Sequence, residues 1–329
     1  PLGLPQPAPL PGLIDFQGWS SAGAGGFLHR YSELQSAAAE ETAKGKGGSV
    51  QVRMGLARFL VGSELAYEAI GVLNMIAAAD PRVLADPEFR GLRGAARVLV
   101  GRYREAQADF STPVVADDPA VALWRGYAAA RMGDNTGARD QLAAGRRALQ
   151  YFTPKWKARF VAAEASAAMA LGDPAAARAI LIQAPDKGLD PIDWAALQLV
   201  RARLLDVAGQ TQPALALYDE VAKSSYGALT APAILRATEL RLERGMIPLK
   251  TAVTTLDSLR FRWRGDATEL ETVRALGRIY LSQGNYRDAL EALRSAGRQM
   301  PDLPAAVAVQ NDLGAAFRGL FLDGGDRKS

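Results

Sequence analysis

Apolar positions along this chain recur with the spacing of helices. In residues 27–44, Phe27, Leu28, Tyr31, Leu34 and Ala38 fall on one face of a helix. Beyond them the same rhythm returns in pairs, most clearly in residues 276–301. There small residues stand at Gly277, Ala289 and Ala296, bulky ones at Leu276, Tyr280, Tyr286 and Leu293, and Gly284-Asn285 splits the stretch in two. Small residues are needed where helices cross closely, and large ones fill the space beside them. No alternating run reaches strand length, so the chain reads as all-α.

Aligned on the turn and on the small residue five positions later, about seven helix pairs follow one another. They cover residues 49–81, 87–118, 119–152, 154–188, 191–226, 230–265 and a last pair closed by Pro301. A glycine after a helix takes the left-handed cap conformation, and Asp or Asn next to it caps the helix that follows. Gly133-Asp134, Gly172-Asp173-Pro174 and Gly284-Asn285 fit that scheme, and Asp80-Pro81, Asp86-Pro87, Asp118-Pro119 and Asp190-Pro191 mark further junctions. In the sixth pair Gly245 is followed by MIPLKTA, which displaces the second helix. Residues 1–26, rich in Pro and Gly, form a tether that packs Ile14, Phe16 and Trp19 onto the first helices. Residues 27–48 hold a single helix that KGKGG ends, 49–303 the paired array, and 304–329 a capping helix or the start of a further pair. The opening without Met and the apolar Phe317, Leu320 and Phe321 at the other end lead us to expect an excised fragment of a longer chain. Pro1-Leu2-Gly3 is set aside as a protease-site scar.

The pattern resembles the tetratricopeptide repeat, a helix-turn-helix unit of about 34 residues. Leu276, Gly277, Tyr280, Gly284, Tyr286, Ala289, Ala296 and Pro301 stand at that family's spacing, and Val273 replaces its early Trp. The resemblance implies a right-handed α-α superhelix whose first helices line an inner, peptide-binding face. Carried over position by position, one inner row is Arg58, Ala95, Tyr127, Ser166, Arg203, Glu239 and Arg278. The neighbouring row is Met54, Gly91, Leu123, Ala162, Leu199, Leu235 and Arg274. The candidate groove residues are therefore Arg58, Leu123, Tyr127, Arg131, Leu199, Arg203, Glu239, Arg274 and Arg278. An apolar middle flanked by arginines suits an extended or helical peptide with acidic and apolar residues. The carboxylate clamp of chaperone-binding members needs Lys and Asn in these rows; neither row has either, which disfavours a chaperone C-terminus.

Charge adds little: 39 basic and 35 acidic residues leave +4, so the pI of 9.3 reflects a small excess and no polyanion stripe. With no cysteine and one histidine, thiolate, disulfide and most histidine-based chemistry is excluded, and His29 reads as a surface residue. No GxSxG, HExxH, Walker A or dinucleotide fingerprint is present, and the Gly-rich runs at 23–26 and 45–48 follow no strand. The expectation is a chain that is not an enzyme and needs no metal or cofactor. Two clusters mix basic and aromatic residues: Arg260-Phe261-Arg262-Trp263-Arg264, and 153–160 with Trp156 and Phe160. Their rings are expected to pack between repeats, with arginines covering helix ends, so no nucleic-acid partner is expected. No apolar run is long enough to insert in a bilayer.

The partner expected is a protein or peptide. Self-association through Phe317 to Leu322 is the alternative, and the helical domain of a glycan-processing enzyme a third. The Ala/Arg-rich composition suggests a high-GC bacterium. The segment LARFLVGSELAYEAIGVL resembles large exported repeat proteins of alphaproteobacteria, which implies a periplasmic or envelope setting.

Overall fold

A computed structural model describes residues 10–44, 48–299 and 304–321. The side chains of residues 295–299, 304–305 and 319–321 are outside that description, as are residues 1–9, 45–47, 300–303 and 322–329. Ala296, Pro301, Leu320, Phe321 and most of the GKGG run accordingly lie beyond the described side chains. Among the described residues there are seventeen α-helices and no strand.

The chain divides into two compact units, residues 1–197 and 198–329. In unit 1 a one-turn helix α1 (Phe16–Trp19) precedes α2 (Gly26–Ala43). Four helix pairs then follow: α3 (Val50–Gly62) with α4 (Ala66–Ala79), α5 (Pro87–Leu99) with α6 (Tyr103–Phe110), α7 (Pro119–Arg131) with α8 (Asn135–Gly145), and α9 (Pro154–Ala170) with α10 (Pro174–Leu181). Successive first helices also touch one another, α3 to α5, α5 to α7 and α7 to α9, and so make one layer. α11 (Pro191–Val207) runs into unit 2. There α12 (Thr211–Ala222), α13 (Gly227–Glu243), α14 (Leu249–Arg262), α15 (Ala267–Ser282), α16 (Tyr286–Gln299) and α17 (Pro304–Phe321) follow.

The turns work as their residues demand. Gly101, Gly133, Gly172, Gly209, Gly245 and Gly284 all have positive φ, 82° at Gly133. Asp134 and Asp173 accept the N–H of Gly137 and Ala176, each at 2.9 Å, which satisfies an orphan donor of α8 and α10. Asp86 and Asp118 do the same for Phe89 and Ala120. In the first pair the equivalent turn position is Glu64, the one non-glycine with positive φ (59°) among the described residues. In the sixth, α14 starts four residues after Gly245, where the other second helices start two after their glycine.

Small residues sit where the sequence places helix crossings. A Cβ on Gly126 would stand 2.6 Å from Leu142 of α8, and one on Gly277 2.8 Å from Leu293 of α16. These contacts let the second helix approach the first, and the apolar residues around them are buried. In unit 2 the fully buried core among the described residues is aliphatic with one tyrosine: Leu199, Ala202, Leu215, Tyr218, Val221 and Leu240 form one cluster, and Leu256, Leu259, Leu276 and Ile279 belong to the next, with Trp263 and Tyr280 packed at its edge. Unit 1 is held more by rings. Trp124, Trp156, Phe152 and Phe160 are buried with centroids 4.4–5.8 Å apart, mostly edge to face.

Candidate interaction faces

The first-helix layer of unit 1 does not face water along its middle. Residues 10–20 lie across it. Gly126 faces α8; Trp124, two residues earlier and about 200° round the helix, faces the other way, onto this segment. The Gly12 N–H donates to Asp118 Oδ2 at 2.6 Å, and the Trp124 indole Nε1–H donates to the Gly12 carbonyl at 2.8 Å. Both bonds are buried. Ile14 and Phe16 are 2% and 8% exposed, and the Phe16 ring stacks on Trp156 at 5.8 Å. Further on, Trp19 lies against Gly62 at the end of α3. The packing of Ile14, Phe16 and Trp19 thus reaches α3 and α9 together.

Two glycines make the fit possible. A Cβ on Gly12 would stand 2.4 Å from the Val121 backbone nitrogen, and one on Gly91 of α5 would stand 2.2 Å from the Pro11 carbonyl. Neither contact is possible for any other residue without a backbone shift. Lys155 of α9 pairs with Glu64 at 2.7 Å and with Asp190 at 3.4 Å, which ties the turn after α3 to the starts of α9 and α11.

The predicted groove residues of unit 1 divide accordingly. Arg58 is tied to Glu88 at 2.6 Å. Tyr127 is half-buried, its ring edge-on to Trp156 and Phe160, and burial pushes its phenol above the ordinary tyrosine value. Arg131 is exposed, donates to Tyr103 Oη at 3.2 Å and lies over that ring. Leu123 is 1% exposed and faces Gly145 at the end of α8, so it belongs to the core and not to a groove. Leu199 of unit 2 is corrected in the same way: it is 5% exposed and packed with Leu215 and Tyr218. Both leucines precede by three residues the small residue at the helix crossing, about 60° round the helix, and their long side chains turn into the pair.

In unit 2 the remaining predicted residues come together on the first helices. Arg278 of α15 reaches Glu239 of α13 at 3.5 Å, and Arg236 reaches the same carboxylate at 3.5 Å. Desolvation raises the Glu239 carboxyl, against the pull of Arg236 and Arg278. Desolvation likewise raises Glu271, against the pull of Arg203 and Arg274. Arg203 and Arg278 are exposed. Arg274 is bound on two atoms to Asp312 of α17, at 2.5 and 3.3 Å. Arg236 bridges Asp206 (2.5 Å) and Glu243 (2.9 Å) and was missed by the row assignment; an arginine three residues before a groove glutamate was its signal.

The two basic-aromatic clusters differ. Trp156 and Phe160 are buried in the ring cluster, and Arg159 lies over Trp156 while pairing with Asp193 at 2.7 Å. Trp263 packs onto Gly227 and donates to Asp266 at 2.9 Å. Phe261, expected to pack between repeats, is instead 66% exposed with Arg260 over its ring. On α17, Phe317 is 53% exposed, and His29 pairs with Glu33 on the surface of α2. Among the described residues no cluster of metal-ligating side chains occurs, and no helix is long and apolar enough to cross a membrane.

No protein-family model matches the chain, and no curated protein matches it either. Solved structures do. The chain is similar to the Rap protein complexed with competence and sporulation factor: TM-score 0.58, 15% identity, covering 90% of this chain and 84% of that one. It is similar to a tetratricopeptide repeat protein from Parabacteroides merdae at TM-score 0.53 and 14% identity, over 87% of this chain and 98% of that one. It is also similar to a chain of the APC/C hetero-tetramer Cut9-Hcn1, at TM-score 0.55 and 14% identity over 88% of its length, and spans 52% of that chain. Likeness at such identities is of fold. The chain has the tetratricopeptide-repeat fold: all-α, built of stacked helix pairs.

Proposed function

We propose that the chain is a non-catalytic scaffold that holds a protein or peptide partner on the exposed face of its first helices. The observation that carries this reading is the row in unit 2. Arg203 and Arg278 present exposed guanidinium groups around Glu239 and Glu271. Guanidinium groups bind carboxylates in a fixed fork geometry, which favours a partner peptide with acidic residues. Aliphatic residues of that peptide would lie along the stems of these side chains. The similar Rap protein was solved in complex with a factor, which supports partner binding as the general use of this fold. A bacterial envelope setting is part of the proposal; the Ala/Arg-rich composition supports its bacterial part, and the resemblance of LARFLVGSELAYEAIGVL to exported repeat proteins its envelope part.

The test is retention of an array of synthetic peptides of graded acidic and aliphatic content by the immobilised chain. Wild type should retain the acidic-aliphatic members, and the Arg203→Glu/Arg278→Glu variant should lose them by about tenfold or more. Equal retention by both, or none by wild type, would remove the reading.

A further inference from the structure

We propose that the first-helix layer of unit 1 is a second, separate peptide site that the chain keeps closed with its own residues 11–19. Its partner is a peptide of the same pattern and the same turn-then-helix shape: a glycine, an aliphatic residue two positions on and an aromatic residue four positions on. This goes beyond the unit 2 reading and does not depend on it.

The segment is held in the way a peptide ligand is held. Its polar anchors are the two main-chain groups of Gly12, bound by Asp118 and Trp124 more than a hundred residues away in sequence. Side-chain selection follows the segment's own shape, a turn closed by the Leu13 N–H on the Leu10 carbonyl at 2.9 Å and, from Phe16, the single turn of α1. Gly12 is demanded by the Val121 backbone, Ile14 and Phe16 are buried, and Leu13 and Asp15 between them are more exposed.

The site requires an occupant. With the segment gone, Trp124 Nε1 and one oxygen of Asp118 would lose their partners, and the rings of Trp124 and Trp156, 0% and 2% exposed beneath it, would open to water as an apolar patch. Trp156 offers the face of its ring, on which Phe16 stacks. Release is also simple. Ser21 to Gly25, joining the segment to α2, are small residues on the surface, with Gly23 at φ 64°.

The experiment uses the whole chain with a protease sequence inserted between Ala22 and Ala24, cut after folding so that both pieces stay present. A fluorescein-labelled peptide of residues 10–20, LPGLIDFQGWS, is then titrated and followed by anisotropy. The cut chain should exchange its segment for the labelled peptide. The uncut chain should bind it at least about 100-fold more weakly, since a tethered competitor acts at roughly millimolar effective concentration. In the peptide, Gly12→Val should abolish binding and Phe16→Ala should weaken it roughly 30-fold. The intact chain carrying Phe16→Ala should accept the wild-type peptide in trans, so the idea stands or falls even where the cut chain precipitates. A cut, folded chain that never exchanges, one that unfolds on release, or peptides that bind alike with Gly12 or Val would each overturn the proposal. So would an uncut chain found as a dimer that trades segments between copies. The unit 2 arginine variant should leave every one of these results unchanged, which separates the two readings.

Discussion

Units 1 and 2 are built from the same helix pairs but finish their first-helix layer differently. In unit 1 that layer carries indole and phenyl rings, and residues 10–20 cover it. In unit 2 it carries exposed arginines around the half-buried Glu239 and the exposed Glu271. Their ionic anchors follow the same division. Asp109 of α6 is 0% exposed and accepts from three arginines of α5: Arg90 at 2.9 Å, Arg93 at 2.6 Å and Arg97 at 2.6 Å. Asp206 serves Arg236 nearer to water, with side chains 11% and 33% exposed. One repeat thus supports a dry, self-filled face and a wet, charged one, according to which side chains occupy its few free positions.

The largest test of that contrast compares the two aspartates. Asp109→Ala leaves three guanidinium groups without their buried partner and should cost about 3–5 kcal/mol. Asp206→Ala should cost about 1 kcal/mol, since water can screen and solvate Arg236. Urea unfolding of the two variants reads the difference; equal losses would show that the units are not distinguished by burial. Next comes the ring cluster. Trp156→Ala should cost roughly 3–5 kcal/mol and expose residues 10–20 to proteolysis, whereas Arg278→Ala in unit 2 should leave that segment protected.

Much of this was legible in the chain, and the part that was not has a physical reason. Gly126 and Gly277 announce helix crossings because only a missing side chain permits such closeness, and Asp134 and Asp173 announce helix starts because a carboxylate satisfies orphan N–H groups. Local chemistry of that kind is written in neighbouring residues. The covering of unit 1 is not, because it joins Gly12 to Asp118 and Trp124 across the whole intervening chain. Ile14, Phe16 and Trp19 in a Pro/Gly-rich stretch signalled a packed tether, but not which helices it meets. Leu123 and Leu199 were misplaced for a related reason. A position 60° from a helix crossing faces the groove or the core according to the length of the side chain and the room beside it.

Smaller effects are expected at the turns. Glu64 holds a left-handed conformation that the other turns give to glycine, so Glu64→Gly should raise stability by about 0.5–1 kcal/mol despite losing the exposed pair with Lys155. The reverse change in unit 2, Gly245→Glu, should lower it by about 1 kcal/mol; thermal melts of both decide whether the turn conformation is what matters. Of similar size, Arg203→Glu/Arg278→Glu sets like charges beside Glu271 and Glu239 and should lower stability by about 0.5–1 kcal/mol, too little to unfold the surface on which peptide retention is read.

The covering of unit 1 by its own chain is tested most directly by hydrogen exchange at the Gly12 amide. That N–H is buried against Asp118, so in the wild type it should exchange far more slowly than an open-coil amide, and near the coil rate in Asp118→Ala. Exchange at the rate of an open Pro/Gly-rich coil in the wild type would contradict the account.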